Sequence, residues 1–203
     1  MKKLKYIAPI LIAVACLGLQ HAKADFVDYT LTTGNSPSLG TGPFGTVHVD
    51  LTSSTTATIT FTAASGYQFI DGSAVAVNVN ATSWTVSAFT SNGGPVTDSG
   101  SQNVDGFGQF NQTGSQQNAS NGATVISFTL TNTSGTWASA TNVLAFNANH
   151  WLVAAHVFVV GSNGITGFVA GPKGGTVPDG GTTVMLLGAA LGVLGMARRY
   201  LTR

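Results

Sequence analysis

The side chains able to do acid, base or metal chemistry are few. Between Asp25 and Thr176 they are Asp25, Asp28, Asp50, Asp71, Asp98 and Asp105, with His48, His150, His156 and Lys173, and the chain contains no Glu at all. His48 and Asp50 are two residues apart, so a strand puts both on one face about 7 Å apart. That spacing suits two metal ligands, but no third candidate lies nearby, and the pair reads as a solvated strand face. His150 and His156 share strand parity, and His156, between Ala155 and Val157, reads as a hydrogen-bonded core or rim histidine rather than a base. Asp71-Gly72-Ser73 and Asp105-Gly106 are turn sequences. Neither has the spaced ligands of a calcium loop, which leaves room only for one structural calcium ion assembled from separate loops. Acyl transfer needs a serine activated by a histidine with an acidic partner, and no Gly-x-Ser-x-Gly elbow is present. A glycosidase would have to draw both carboxylates from Asp alone. The chain is therefore expected to be no enzyme and to hold no cofactor, with a matrix-polymer hydrolase as a remote alternative.

Trp84, Trp137 and Trp151 open a different chemistry, stacking on sugar rings if their indoles are exposed. Filling a core is the commoner use of such side chains. A carbohydrate-binding module using these three residues is the first alternative to a structural role.

Charge sorts the 203-residue chain into three parts. Only 7% of its residues are charged, against about 25% in ordinary soluble domains. The net charge of +1 comes from Lys2, Lys3, Lys5 and Lys23 at one end and Arg198, Arg199 and Arg203 at the other, while the middle sets six Asp against Lys173. A nucleic-acid surface needs clustered cations, so the middle excludes it.

The basic start, the apolar run from Ile7 to Leu19 and the triplet Ala22-Lys23-Ala24 read as a signal peptide over residues 1–24, cut by signal peptidase after Ala24. The apolar run is shorter than the roughly 20 residues of a membrane span. Cleavage there removes Cys16, the one cysteine, and leaves no thiol chemistry. At the other end a Gly/Pro linker over 171–181 contains Val177-Pro178-Asp179-Gly180-Gly181. An apolar segment over 182–197 follows, then a basic tail over 198–203. As a helix the segment is about 24 Å long, short of the hydrocarbon core of about 30 Å. It is expected to be a single transmembrane sorting helix in a locally thinned bilayer, with the arginines on the cytoplasmic side.

The residues between 25 and 170 read as one all-β domain. Val47 to Leu51 and Ala57 to Thr62 alternate apolar and polar, the pattern of half-buried antiparallel strands. Further strands are expected at Phe26 to Leu31, Ala74 to Asn80, Ser83 to Phe89, Thr124 to Leu130, Leu152 to Val160 and Ile165 to Val169. Ser65-Gly66, Asp71-Gly72, Asn121-Gly122 and Asn163-Gly164 separate them as turns. This predicts a single antiparallel β-sandwich ectodomain, jelly-roll-like, least structured from Ser91 to Asn121.

The short motif, weak span and terminal arginines together resemble the PEP-CTERM class of bacterial sorting signals. Asp179-Gly180 stands where the usual motif has Glu-Pro, so the end looks like its Val-Pro-Asp variant. The body resembles the ectodomain of a group of PEP-CTERM proteins in Tyr67-Gln68-Phe69, Asp71-Gly72, Asp105-Gly106-Phe107-Gly108 and Ala154-Ala155-His156. The resemblance implies an exosortase-type membrane protease as processing partner. It also implies a membrane-held intermediate anchored by the C-terminal helix, and delivery to the cell surface or extracellular space, where polysaccharide is a candidate partner. The N-terminal reading is checked by sequencing the exported protein, whose first residue is expected to be Asp25; a chain still starting at Met1 would overturn it.

Overall fold

The computed structural model describes residues 25–116 and 121–174. The expected signal peptide with Ala22 and Ala24, the motif Val177 to Gly181, the expected transmembrane segment and the tail with Arg198, Arg199 and Arg203 lie outside the described residues. Among the described residues no helix is long and apolar enough to cross a membrane.

Among the described residues thirteen strands form two antiparallel sheets. The first contains β1 (Asp25–Leu31), β3 (Gly45–Ser53), β4 (Thr56–Ala63), β11 (Val125–Asn132) and β7 (Trp84–Val86) in that spatial order, with β8 (Thr90–Ser91) also on β11. The second runs β2 (Thr33–Gly34), β13 (Thr166–Lys173), β12 (Trp151–Val159), β6 (Val75–Val77), β10 (Gly108–Gln116) and β9 (Val96–Val104), with β5 (Tyr67–Phe69) on β12. The all-β expectation agrees with this architecture.

Alternation decides which face each strand buries. In β4, Ala57, Ile59 and Phe61 are fully buried while Thr58, Thr60 and Thr62 point outward. Ile126, Phe128 and Leu130 of β11 and Val47 and Val49 of β3 complete the inner face of the first sheet. Val75, Val77, Val153, Ala155, Val157 and Val169 meet them from the second sheet in one core. Phe61 lies edge-on to Phe69 of β5, ring centres 6.0 Å apart at 89°, a favourable aromatic geometry that joins the sheets.

The segment from β1 to β2 ties the two sheets together. β1 belongs to the first sheet, but Thr32 just beyond it donates its N–H to the Ala170 carbonyl at 3.1 Å, and β2 pairs with β13. At Gly171 of β13 an added Cβ would run into the Thr30 carbonyl, so only glycine permits this approach. The side chain of Asp25 accepts the Ala140 N–H at 2.7 Å, fixing the first described residue to the 3-10 helical turn Ala140–Asn142.

Two expectations are corrected here. The last strand continues through Lys173, so Gly171, Pro172 and Lys173 belong to the sheet rather than to a linker beginning at 171. The region from Ser91 to Asn121 is not the least structured part, for β9 and β10 form a long hairpin there. Backbone pairing requires no apolar side chains, and polar side chains of this hairpin bond within it and to the adjoining backbone. Gln112 Nε2 donates to Asp98 Oδ1 at 2.7 Å, Ser99 Oγ to Ser115 Oγ at 2.7 Å and Gln116 Nε2 to the Asn121 carbonyl at 2.7 Å. Register shifts after Phe110 and Thr113 bend it. Val104, Phe107 and Phe110 thereby cover Ala76, Ala154 and Ala170, making a second apolar cluster with Trp151.

Phe61→Ala is expected to cost about 3 to 5 kcal/mol. Urea unfolding followed by fluorescence measures it, and a loss below about 1 kcal/mol would contradict the central place given to this ring.

Candidate functional site

Strand register assembles the main polar constellation on the outer face of the first sheet. Across β1 and β3, Asp28 is opposite His48 and Phe26 is opposite Asp50. Asp28 Oδ1 lies 2.7 Å from His48 Nδ1, and both side chains are substantially exposed, 58% and 43%. An exposed pair of this kind contributes no more than about 1 kcal/mol, so its interest lies in what it positions. The Phe26 ring lies 5.2 Å from the imidazole, inclined by 34°. Asp50 Oδ1 is buried and without a hydrogen-bond partner. His48 and Asp50 do share one face as expected, but Asp28 was missed. No local pattern links it to His48 twenty positions away; only the β1–β3 register does. Among the described residues no group of three His, Cys, Asp or Glu side chains is placed to hold a metal ion.

The same face continues as rows of hydroxyls. Thr60 of β4 is opposite both His48 and Ser127, and its Oγ1 lies 2.9 Å from Ser127 Oγ. Thr58 is opposite Asp50 on one side and Thr129 on the other. Thr46 and Thr62 form a further row. The two faces differ sharply in composition: the inner neighbours are aliphatic or aromatic, the outer ones mostly Thr, Ser or Asp.

The tryptophans do not form an exposed platform. Trp137 and Trp151 are buried, 3% and 6% exposed, which corrects the reading of them as exposed sugar contacts. The Trp137 indole N–H donates to the Asn80 carbonyl at 2.8 Å. Trp151 lies edge-on to Phe107 at 5.1 Å, with Lys173 Nζ 5.3 Å from its ring centre. Trp84 is half-buried and donates to Gln112 Oε1 at 3.1 Å, linking β7 of one sheet to β10 of the other. Large apolar indoles with one donor are suited to such positions.

The remaining histidines are separated by local backbone. His150 precedes β12 in a turn with φ of 65°, so strand parity with His156 does not apply. His156 is stacked on Phe168 across β12 and β13, centres 4.3 Å apart and planes 25° apart. Its Nδ1 is buried without a partner. Burial holds its pKa below the ordinary 6.5, against the opposing pull of the Asp71 charge and a Gly72 backbone hydrogen bond. Among the described residues the one His–carboxylate contact is His48 with Asp28; neither His150 nor His156 bonds to an Asp. Tyr29, whose hydroxyl is buried without a partner, is pushed up to about 12 by burial.

Two shallow polar grooves complete the surface. One of about 390 Å³ is bordered by Asn80, Thr82, Asn132 and Ser134, and the other, about 410 Å³, by Gln68, Asn92 and Asn121. The amide of Asn111 is closed off, since it accepts from the Val79 N–H at 2.7 Å and donates to the Val79 carbonyl at 2.9 Å. It extends the backbone ladder rather than meeting solvent.

Comparison with known proteins bears on the C-terminal end. Residues 176–201 match the family model of the VPDSG-CTERM motif, a PEP-CTERM-like C-terminal sorting signal. Gly180 stands where the motif's name has Ser. Such a signal implies processing by an exosortase-type membrane enzyme and export through the membrane toward the cell surface or extracellular space. No curated protein and no solved structure matches the chain.

The half-buried His156 gives a pH dependence of stability. Because the folded state disfavours His156 protonation, the unfolded chain takes the proton first as pH falls. The contribution is complete above about 6.5 and is lost as pH drops through the lower folded value. Unfolding free energies measured from about pH 7.5 to about pH 5 should therefore fall less steeply in His156→Gln than in the parent; parallel curves would show that this histidine is not responsible.

Proposed function

We propose that this protein is a non-enzymatic, exported β-sandwich protein, held transiently in the membrane by its C-terminal segment and delivered to the cell surface or to an extracellular polysaccharide matrix. The observation that carries the reading is the sorting motif at 176–201. It follows directly on a domain whose last strand ends at Lys173.

The domain's surface chemistry supports the choice of environment. A face of neutral hydroxyls hydrogen-bonds to hydrated polymer without strong electrostatic attraction or repulsion. In this reading signal peptidase removes 1–24, the exosortase-type enzyme reads Val177, Pro178, Asp179, Gly180 and Gly181, and Arg198 and Arg199 hold the tail on the cytoplasmic side. The mature protein then acts by contact, through its sheet faces and edges.

Deleting Arg198 and Arg199, or replacing Pro178 and Asp179 by Ala, should leave the protein unprocessed in the membrane fraction. Mass spectrometry of the membrane, surface and medium fractions reads the outcome, and mature protein of unchanged mass and location would overturn the proposal.

A further inference from the structure

We propose that Phe26, with Asp28, His48 and Asp50 beside it, is the contact point for a neutral polysaccharide laid across the outer face of the first sheet. The inference rests on the matrix reading above and names the surface that would serve it.

Phe26 is 60% exposed, the one aromatic among the large exposed hydrophobic residues of the described chain. A lone exposed apolar side chain needs no explanation, but this one is not alone. It lies against His48, whose ring orientation is fixed by Asp28, and opposite Asp50. An apolar ring face is thus bordered by an imidazole and two carboxylates. The second oxygen of the exposed Asp28 has no partner among the described residues and is open to a ligand, whereas Oδ1 of Asp50 is closed to solvent and takes no part in the contact.

A pyranose matches both parts of that arrangement, with a C–H face that stacks on an aromatic ring and a rim of hydroxyls that donate to carboxylates. A wholly apolar partner would cover the open Asp28 oxygen without pairing it, which is costly. Charge selects the polymer class. Lys173 is the one Lys or Arg among the described residues, and it lies over Trp151 in the second sheet. The Phe26 face therefore offers acidic groups and no Lys or Arg, which disfavours a polyanion and fits a neutral chain. From β1 to β11 the hydroxyl rows continue through Thr60 and Ser127, and through Thr58 and Thr129. At the usual strand spacing the two rows extend about 14 Å, with Phe26, Asp28, His48 and Asp50 on β1 and β3 and the neutral hydroxyls on β4 and β11.

Affinity electrophoresis of the full chain, in mild detergent where the C-terminal segment is retained, tests this with dextran, galactomannan, xyloglucan and alginate as probes. The expected result is retardation by at least one of the three neutral polymers and none by alginate. Phe26→Ala should weaken the retardation at least fivefold and Asp28→Asn about threefold, while Phe26→Trp restores it and Val160→Ala leaves it unchanged. Circular dichroism of each variant confirms folding, which these exposed positions should not disturb. No retardation by any neutral polymer, retardation by alginate alone, or retardation unchanged in Phe26→Ala would each overturn the site. The localisation of Phe26→Ala keeps the two proposals apart. Normal export of Phe26→Ala with unaltered polymer binding sinks this site alone, whereas normal processing of the motif variants sinks the sorting reading and leaves the Phe26 result to stand by itself.

Discussion

The register of β3, β4 and β11 is the constraint on which the rest depends. Val47, Phe61 and Ile126 align on one side of these strands, while His48, Thr60 and Ser127 align on the other. Because strand side chains alternate with a period of two, a slip of one residue would turn the apolar set to water and bury the hydroxyls. Burial therefore fixes more than the core. It decides that the outer face is a lattice of Thr and Ser, and that His48 meets Asp28 rather than Val27 or Tyr29. The polar surface is a consequence of the apolar interior read one residue later.

A body with so few ionisable groups meets the needs of its buried amides mostly with backbone carbonyls and other neutral groups, Asp98 being the charged exception. Gln112, Thr113 and Gln116 are all buried, and their bonds run to Asp98, to Gly100 and to the Gly94 and Asn121 carbonyls. Asn147 does the same work at the far end of the hairpin, donating to the Phe107 carbonyl and accepting the N–H groups of Asn149 and Trp151. Amides suit this role because each carries both donors and an acceptor, with no charge to desolvate. The result is a hairpin that packs tightly although its sequence is rich in residues usual for loops.

That explains what was legible in the sequence and what was not. The strands β3 and β4 could be read directly, because Val47 to Leu51 and Ala57 to Thr62 have an apolar face by themselves. The hairpin β9–β10 could not, because its order comes from amide and hydroxyl pairing between residues far apart in sequence. Asp98 lies fourteen positions from Gln112, and nothing in either neighbourhood announces the other. The same limit applied at the outer face: His48 and Asp50 were visible as a pair, whereas Asp28 and Phe26 joined them only through the β1 register. For the tryptophans composition gave the residue type but not the side of the sheet, and burial decided against the exposed placement. The sorting end needed no fold at all, since the order of a short motif, an apolar segment and arginines is linear information.

The division of charge follows from these two kinds of information. A sorting signal is read along the chain at the membrane, where cations beside an apolar segment set orientation and anchorage. On the proposed function a sheet face is read as a surface after folding, where an isolated cation would draw polyanions and distort a neutral contact. Lys and Arg are concentrated in the terminal segments, which on that proposal keeps the two readings apart. It also makes Lys173 instructive. The one cation kept within the described body lies over the Trp151 ring, where an attraction between ammonium and aromatic face can hold it against the second sheet, away from the Thr and Ser rows of the first.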